Sequence, residues 1–81
     1  MMKLQYFRLR TQYRAWMILK AGMLEDGTII SRPVSGEKRL QLGFDLLRFF
    51  GAIKKESRGR WVVSDPEYIC QLESWGKEHF S

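Results

Sequence analysis

Cysteine, histidine, proline, acidic residues and long apolar runs are all scarce in this sequence, and each shortage excludes something. A single cysteine, Cys70, leaves no internal disulfide and no thiolate framework for a metal, so a reducing compartment is the natural setting. The one histidine, His79, cannot build a metal site with Cys70, because the two project from different sides of the same expected helix. No run reaches the roughly 18 apolar residues of a membrane span, and the N-terminus lacks the apolar core of a signal peptide. The chain is expected to be cytoplasmic or nucleoid-associated, with no membrane partner. Acids number nine against 14 Lys and Arg, and they lie scattered. A general acid–base pair needs such groups held together. The stretch "SGEKRL" has a Gly and a Lys without the spacing of a phosphate-cradling loop. No enzyme, cofactor, metal or small-molecule substrate is expected.

What the sequence does have is a dense apolar complement. Of its 81 residues 44% are hydrophobic and 14% aromatic, which argues against disorder. A chain this short buries only about 60% of its unfolded surface, so it needs such a core. One domain over residues 1–81 is expected. The net charge is +5, unevenly spread. Residues 1–60 carry 13 cations against 5 acids, and residues 61–81 one Lys against 4 acids. A cationic body and an acidic terminal element follow.

In "QYFRLRTQYRAWMILKAG" the residues Tyr6, Leu9, Tyr13, Trp16 and Met17 share one helical stripe, with Lys3, Arg10 and Arg14 on a second. Residues 3–9 also admit a short strand, so the helix is expected from about Thr11 to Ala21, with Gly22 as its stop. Asp26-Gly27 marks a turn before β-favouring Thr28-Ile29-Ile30. Pro33 excludes a helix interior or central strand at its own position. Beyond it two readings stay open. Leu40, Leu42 and Phe44 alternate as a strand would, whereas a helix capped by Ser35 could run from about Gly36 to Phe50. In the helical reading Gly43 is a weak point or a turn between two helices.

The stretch "IKKESRGRWVV" is a hairpin, with apolar residues at both ends and Gly59 placed for the left-handed position of a short loop. After it, Ser64 and Glu67 have capping-box spacing, Pro66 lies in the first turn and Asp65 adds charge there. On the helix that follows, Tyr68, Leu72, Trp75 and His79 form one stripe beside Ile69, and Gln71, Glu73, Lys77 and Glu78 lie on other faces.

The stretch "LLRFFGAIKKESRGRWVVSDPE" resembles the C-terminal half of a winged helix-turn-helix domain. There an amphipathic recognition helix ends at a glycine, and a β-hairpin wing with a basic tip follows. Leu46, Leu47 and Phe50 would be the helix's buried side, and Gly51 its end. Ile53 and residues 61–63 would be the wing strands. The likeness covers residues 40–66. It implies an α+β fold of small winged-helix type, with helices on a short antiparallel sheet, a basic hairpin wing at 52–63 and an amphipathic helix at 65–80. The function implied is duplex DNA binding, with the helix in the major groove and the wing on the backbone or in the minor groove.

Candidate DNA contacts are Lys38, Arg39 and Arg48 on the helix, with Lys54, Lys55, Arg58 and Arg60 on the wing. Each phosphate neutralised would release counterions and make affinity fall with salt. The bland alternative is a solvated hairpin tip, which Glu56 favours by diluting the charge. Arg10 and Arg14, one turn apart on the first helix, could extend that surface or simply be solvated, and the second reading is preferred. Phe44, Phe49, Phe50, Trp16, Trp61 and Trp75 are expected in the core. Tyr68, Leu72 and Trp75 are the candidate face for a homodimer or another partner. A second function class stays open: a small phage-type adaptor or inhibitor that docks on a host protein through aromatic and basic residues.

Overall fold

The computed structural model describes residues 8–30 and 38–80. In chain order these form helix α1 (Leu9–Ala21), strand β1 (Ile29–Ile30), helix α2 (Lys38–Phe49), strands β2 (Ile53–Ser57) and β3 (Arg60–Val63), and helix α3 (Pro66–Phe80). The α+β class is as expected. Expectations for Lys3, Tyr6, Pro33, Ser35 and the helix start at Gly36 lie outside the described residues.

Helix α1 begins two residues before the expected start and stops at Gly22, whose N–H donates to the Leu19 carbonyl at 3.1 Å. The Asp26 carboxylate then accepts from the Thr28 N–H at 2.9 Å, and Gly27 takes φ +86°. That turn sends the chain back antiparallel, so that Met23 bridges Ile29. Strand β1 joins the hairpin in a three-stranded antiparallel sheet of order β1-β3-β2. Ile29 pairs with Trp61, and Trp61 pairs with Lys55 on the other side. Between Lys55 and Ser57 the register slips, leaving Glu56 as the extra residue of a bulge.

The core gathers Leu9, Trp16 and Leu19 from α1, Ile29, Phe44 and Leu47, Ala52 and Ile53, and Tyr68, Ile69 and Leu72 from α3. Met17 was expected on the buried stripe of α1 but is exposed, and Gln12 is buried in that face. The Tyr68 hydroxyl donates to Gln12 Oε1, which satisfies two polar groups that would otherwise be expensive to bury. Glu73, expected on a solvent face, accepts from the Trp16 indole N–H at 3.1 Å and from the Lys20 ammonium.

Two expectations about helix ends are corrected. Gly43 is neither a weak point nor a turn: α2 runs unbroken through it. A Cβ at Gly43 would overlap the Thr11 carbonyl and sit 2.8 Å from Ala15 Cβ, so glycine is what allows α1 and α2 to cross this closely. The cap of α3 is Asp65 rather than Ser64, because Asp65 Oδ1 accepts the Tyr68 N–H at 3.1 Å. The Ser64 hydroxyl instead donates to the Gly51 carbonyl, tying α3 back to the end of α2.

Candidate nucleic-acid interface

Where α2 stops decides where the hairpin starts. Gly51 takes φ +77°, its N–H donates to the Arg48 carbonyl and the Ala52 N–H to the Leu47 carbonyl. This is a Schellman end, sealed by the fully buried pair Leu47 and Ala52. The chain reverses within two residues, so β2 lies against the last turn of α2. An open groove of about 500 Å³ separates them, lined by Arg48 and Phe49 on one side, by Lys54 and Lys55 on the other, and floored by Trp61 and Ile53.

The side chains in the groove are held in place. The Arg48 guanidinium lies 4.8 Å from the Trp61 ring centroid and 5.8 Å from that of Phe44. Those two rings meet edge-on at 5.0 Å. A guanidinium stacked against an aromatic ring can still offer in-plane N–H groups to an oxyanion. Lys55 stands opposite Trp61 in the β2–β3 register, on the same face of the sheet as that floor. Asp45 is the acid of the groove; it accepts from Gln41 Nε2 at 3.0 Å and sits 3.9 Å from Arg48.

Lys38, Gln41, Leu42, Asp45, Arg48 and Phe49 share the outward side of α2, each three or four residues from another of the set; Gln41 and Leu42 are half-buried and the rest exposed. Phe49 is 80% exposed, which corrects its assignment to the core. Its spacing from Lys38, Leu42 and Asp45 was a legible signal for this. It goes with them around the helix, and not with Phe44 and Leu47.

The seven expected DNA contacts do not share one surface. Arg48 and Lys55 face the groove, Lys54 borders it from a strand position whose side chain alternates to the other face of the sheet, and Lys38 begins the outward stripe of α2. Arg39 does not belong with them: nine residues from Arg48, it lies about two and a half turns away, on the opposite flank of the helix. There it lines a cavity with Arg10 and Arg14 of α1. Arg58 occupies the exposed hairpin tip beside Gly59, which takes φ +74°. Arg60 pairs with Ile30 on the far edge. The Asp26 carboxyl is held below its ordinary pKa mainly by its hydrogen bonds with Thr28, with a smaller contribution from the Arg60 charge.

The expected partner face is corrected too. Tyr68 and Leu72 are buried within the single chain, where the stripe they share meets α1 and the core. Trp75 packs half-buried beside them, with its outer side stacked on the His79 ring at 4.5 Å. Cys70 is exposed. Among the described residues no His, Cys, Asp or Glu side chains cluster as a metal site, and no helix is long and apolar enough to cross a membrane.

No family model, curated protein or solved structure matches the chain.

Proposed function

We propose that the face made by α2 and the β2–β3 hairpin binds duplex DNA, chiefly through phosphates, as the core of a small winged-helix-like regulator or replication accessory factor. The observation that carries this is the meeting of Arg48 and Lys55 at one open groove with an aromatic floor, with Lys54 on its border. Support also comes from the order of parts: an amphipathic helix ending at a left-handed glycine, followed at once by a hairpin with a cationic tip. A helix is 10–12 Å across, close to the ~12 Å width of the major groove. With the solvent stripe of α2 turned toward the bases, Lys54, Lys55 and Arg58 would meet the backbone alongside, while Asp45 would keep the groove from becoming a uniform anion trap.

The test is binding to a labelled random-sequence duplex across a salt series. Wild type is compared with a variant carrying Arg48→Gln, Lys54→Gln and Lys55→Gln. The slope of log affinity against log salt should become shallower by roughly three, about one per lost phosphate contact. An unchanged slope overturns the assignment of this face.

A second reading is favoured by one observation, the 80% exposure of Phe49 in the middle of the cationic face. An aromatic side chain flanked by Arg48 is also what a docking site for an acidic protein surface offers, as in an adaptor or inhibitor. Absence of duplex binding at low salt, together with capture of a defined protein that is lost in Phe49→Ala, would favour it.

A further inference from the structure

On the flank of α2 turned away from Arg48, next to the crossing at Gly43, a cavity of about 150 Å³ opens between α1 and α2. Its polar lining is Arg10, Thr11 and Arg14 of α1 and Arg39 from the first turn of α2. No carboxylate is among the described residues that line it. The acids Glu73 and Asp45 are engaged elsewhere, with Lys20 and Arg48. Arg10 is steadied by the Phe80 ring, 5.3 Å from its guanidinium carbon. Three arginines line one small concavity, so an anion bound there meets positive charge from both helices.

The size and the donor type narrow the ligand. A cavity of this volume takes a benzene-sized guest, well short of the roughly 300 Å³ at which drug-sized pockets begin. One compact oxyanion fills it. Guanidinium forks match phosphate oxygens in pairs, and a phosphate monoester offers three terminal oxygens at a charge near −2, against three arginines. A backbone diester offers less charge and fewer free oxygens.

We propose that Arg10, Arg14 and Arg39 form a binding site for a terminal phosphate monoester, separate from the groove between α2 and the hairpin. Its source is the 5′-phosphate of a nucleic-acid strand end. The net charge of +5 attracts a polyanion. The choice of source rests on the nucleic-acid function proposed above; the phosphate site itself does not.

The first experiment titrates inorganic phosphate at constant ionic strength and follows the arginine side-chain Nε–Hε signals by NMR. Saturable shifts are expected at Arg10, Arg14 and Arg39 and not at Arg48. Affinity should fall at least about tenfold in Arg14→Gln/Arg39→Gln, the scale of one lost charge-assisted hydrogen bond. A non-saturable response, or one the double variant leaves unchanged, overturns the site. Both residues are solvent-accessible side chains on helices, and an unchanged thermal melt checks that the variant is folded.

The second experiment compares a short single strand carrying a 5′-phosphate with its 5′-hydroxyl twin. The phosphorylated strand should bind more tightly. That preference should vanish in Arg14→Gln/Arg39→Gln and survive in Lys54→Gln/Lys55→Gln, whatever becomes of duplex binding. A preference abolished by the hairpin variant instead overturns the location. Tighter binding of a phosphoserine peptide than of the 5′-phosphorylated strand overturns the strand-end source.

Discussion

Gly43 of α2 packs against the backbone carbonyl of Thr11 in α1, and no side chain fits between them. A backbone oxygen cannot swing aside, so Gly43→Ala must push the two helices apart. Destabilisation by about 2 kcal/mol is expected, a drop of roughly 10 °C in melting temperature for a domain of this size. Gly76 is the informative contrast. Its Cβ would meet the Tyr13 ring, the end of a partly exposed side chain stacked on Phe80 at 5.4 Å. That ring can rotate away, and alanine gains about 1 kcal/mol of helix propensity. Gly76→Ala should therefore melt within a few degrees of wild type.

The buried hydrogen bond from Tyr68 to Gln12 links α3 to α1, and Gln12 is 0% exposed. Tyr68→Phe keeps the ring and removes the donor, which should cost about 1–2 kcal/mol in chemical denaturation. Adding Gln12→Leu should cost less than the sum of the single changes, because the first has already broken the pair.

Glu73 ties stability to pH. Partial burial raises the pKa of its carboxyl, but the hydrogen bonds from Lys20 and Trp16 outweigh it and the net shift is downward. With the folded value below the unfolded one of about 4.3, the carboxylate stabilises the fold above that pH. The contribution is lost as pH falls through the folded value. Glu73→Gln should therefore be less stable than wild type at pH 7, by about 1 kcal/mol given the exposure of the Lys20 end. Acid melts should close the gap as the wild-type carboxylate protonates.

Phe49 separates binding from folding. Its ring meets that of Phe50 at 5.3 Å between centroids, and the residue is otherwise largely open to solvent. Phe49→Ala should leave stability within about 0.5 kcal/mol of wild type. Any loss of duplex affinity in that variant then reports on the interface alone.

Local chemistry was enough for the turns and the hairpin. Asp26-Gly27, Gly51 and Gly59 turn the chain where only a left-handed residue or a side-chain acceptor can, and a run of apolar residues at both ends of "KKESRGR" pairs across them. Helical spacing also placed Leu9, Trp16, Leu47, Tyr68 and Leu72 on faces that are buried. Capping was read one residue early, because Ser64 and Asp65 are both good caps. The backbone path past Gly51 gives the serine hydroxyl another acceptor.

The sequence by itself determined an apolar core, two amphipathic helices around a cationic hairpin, and an excess of positive charge, since periodicity and turn chemistry are local properties. Only the tertiary structure decided which cations lie together. Arg39 and Arg48 look alike in the sequence, yet a helix turns them to opposite flanks, one toward α1 and the other toward Trp61. The faces of α2 took their partners from the crossing at Gly43 and the reversal at Gly51. The face of α3 that looked free for a partner was taken by α1, because its apolar stripe found burial within the chain first.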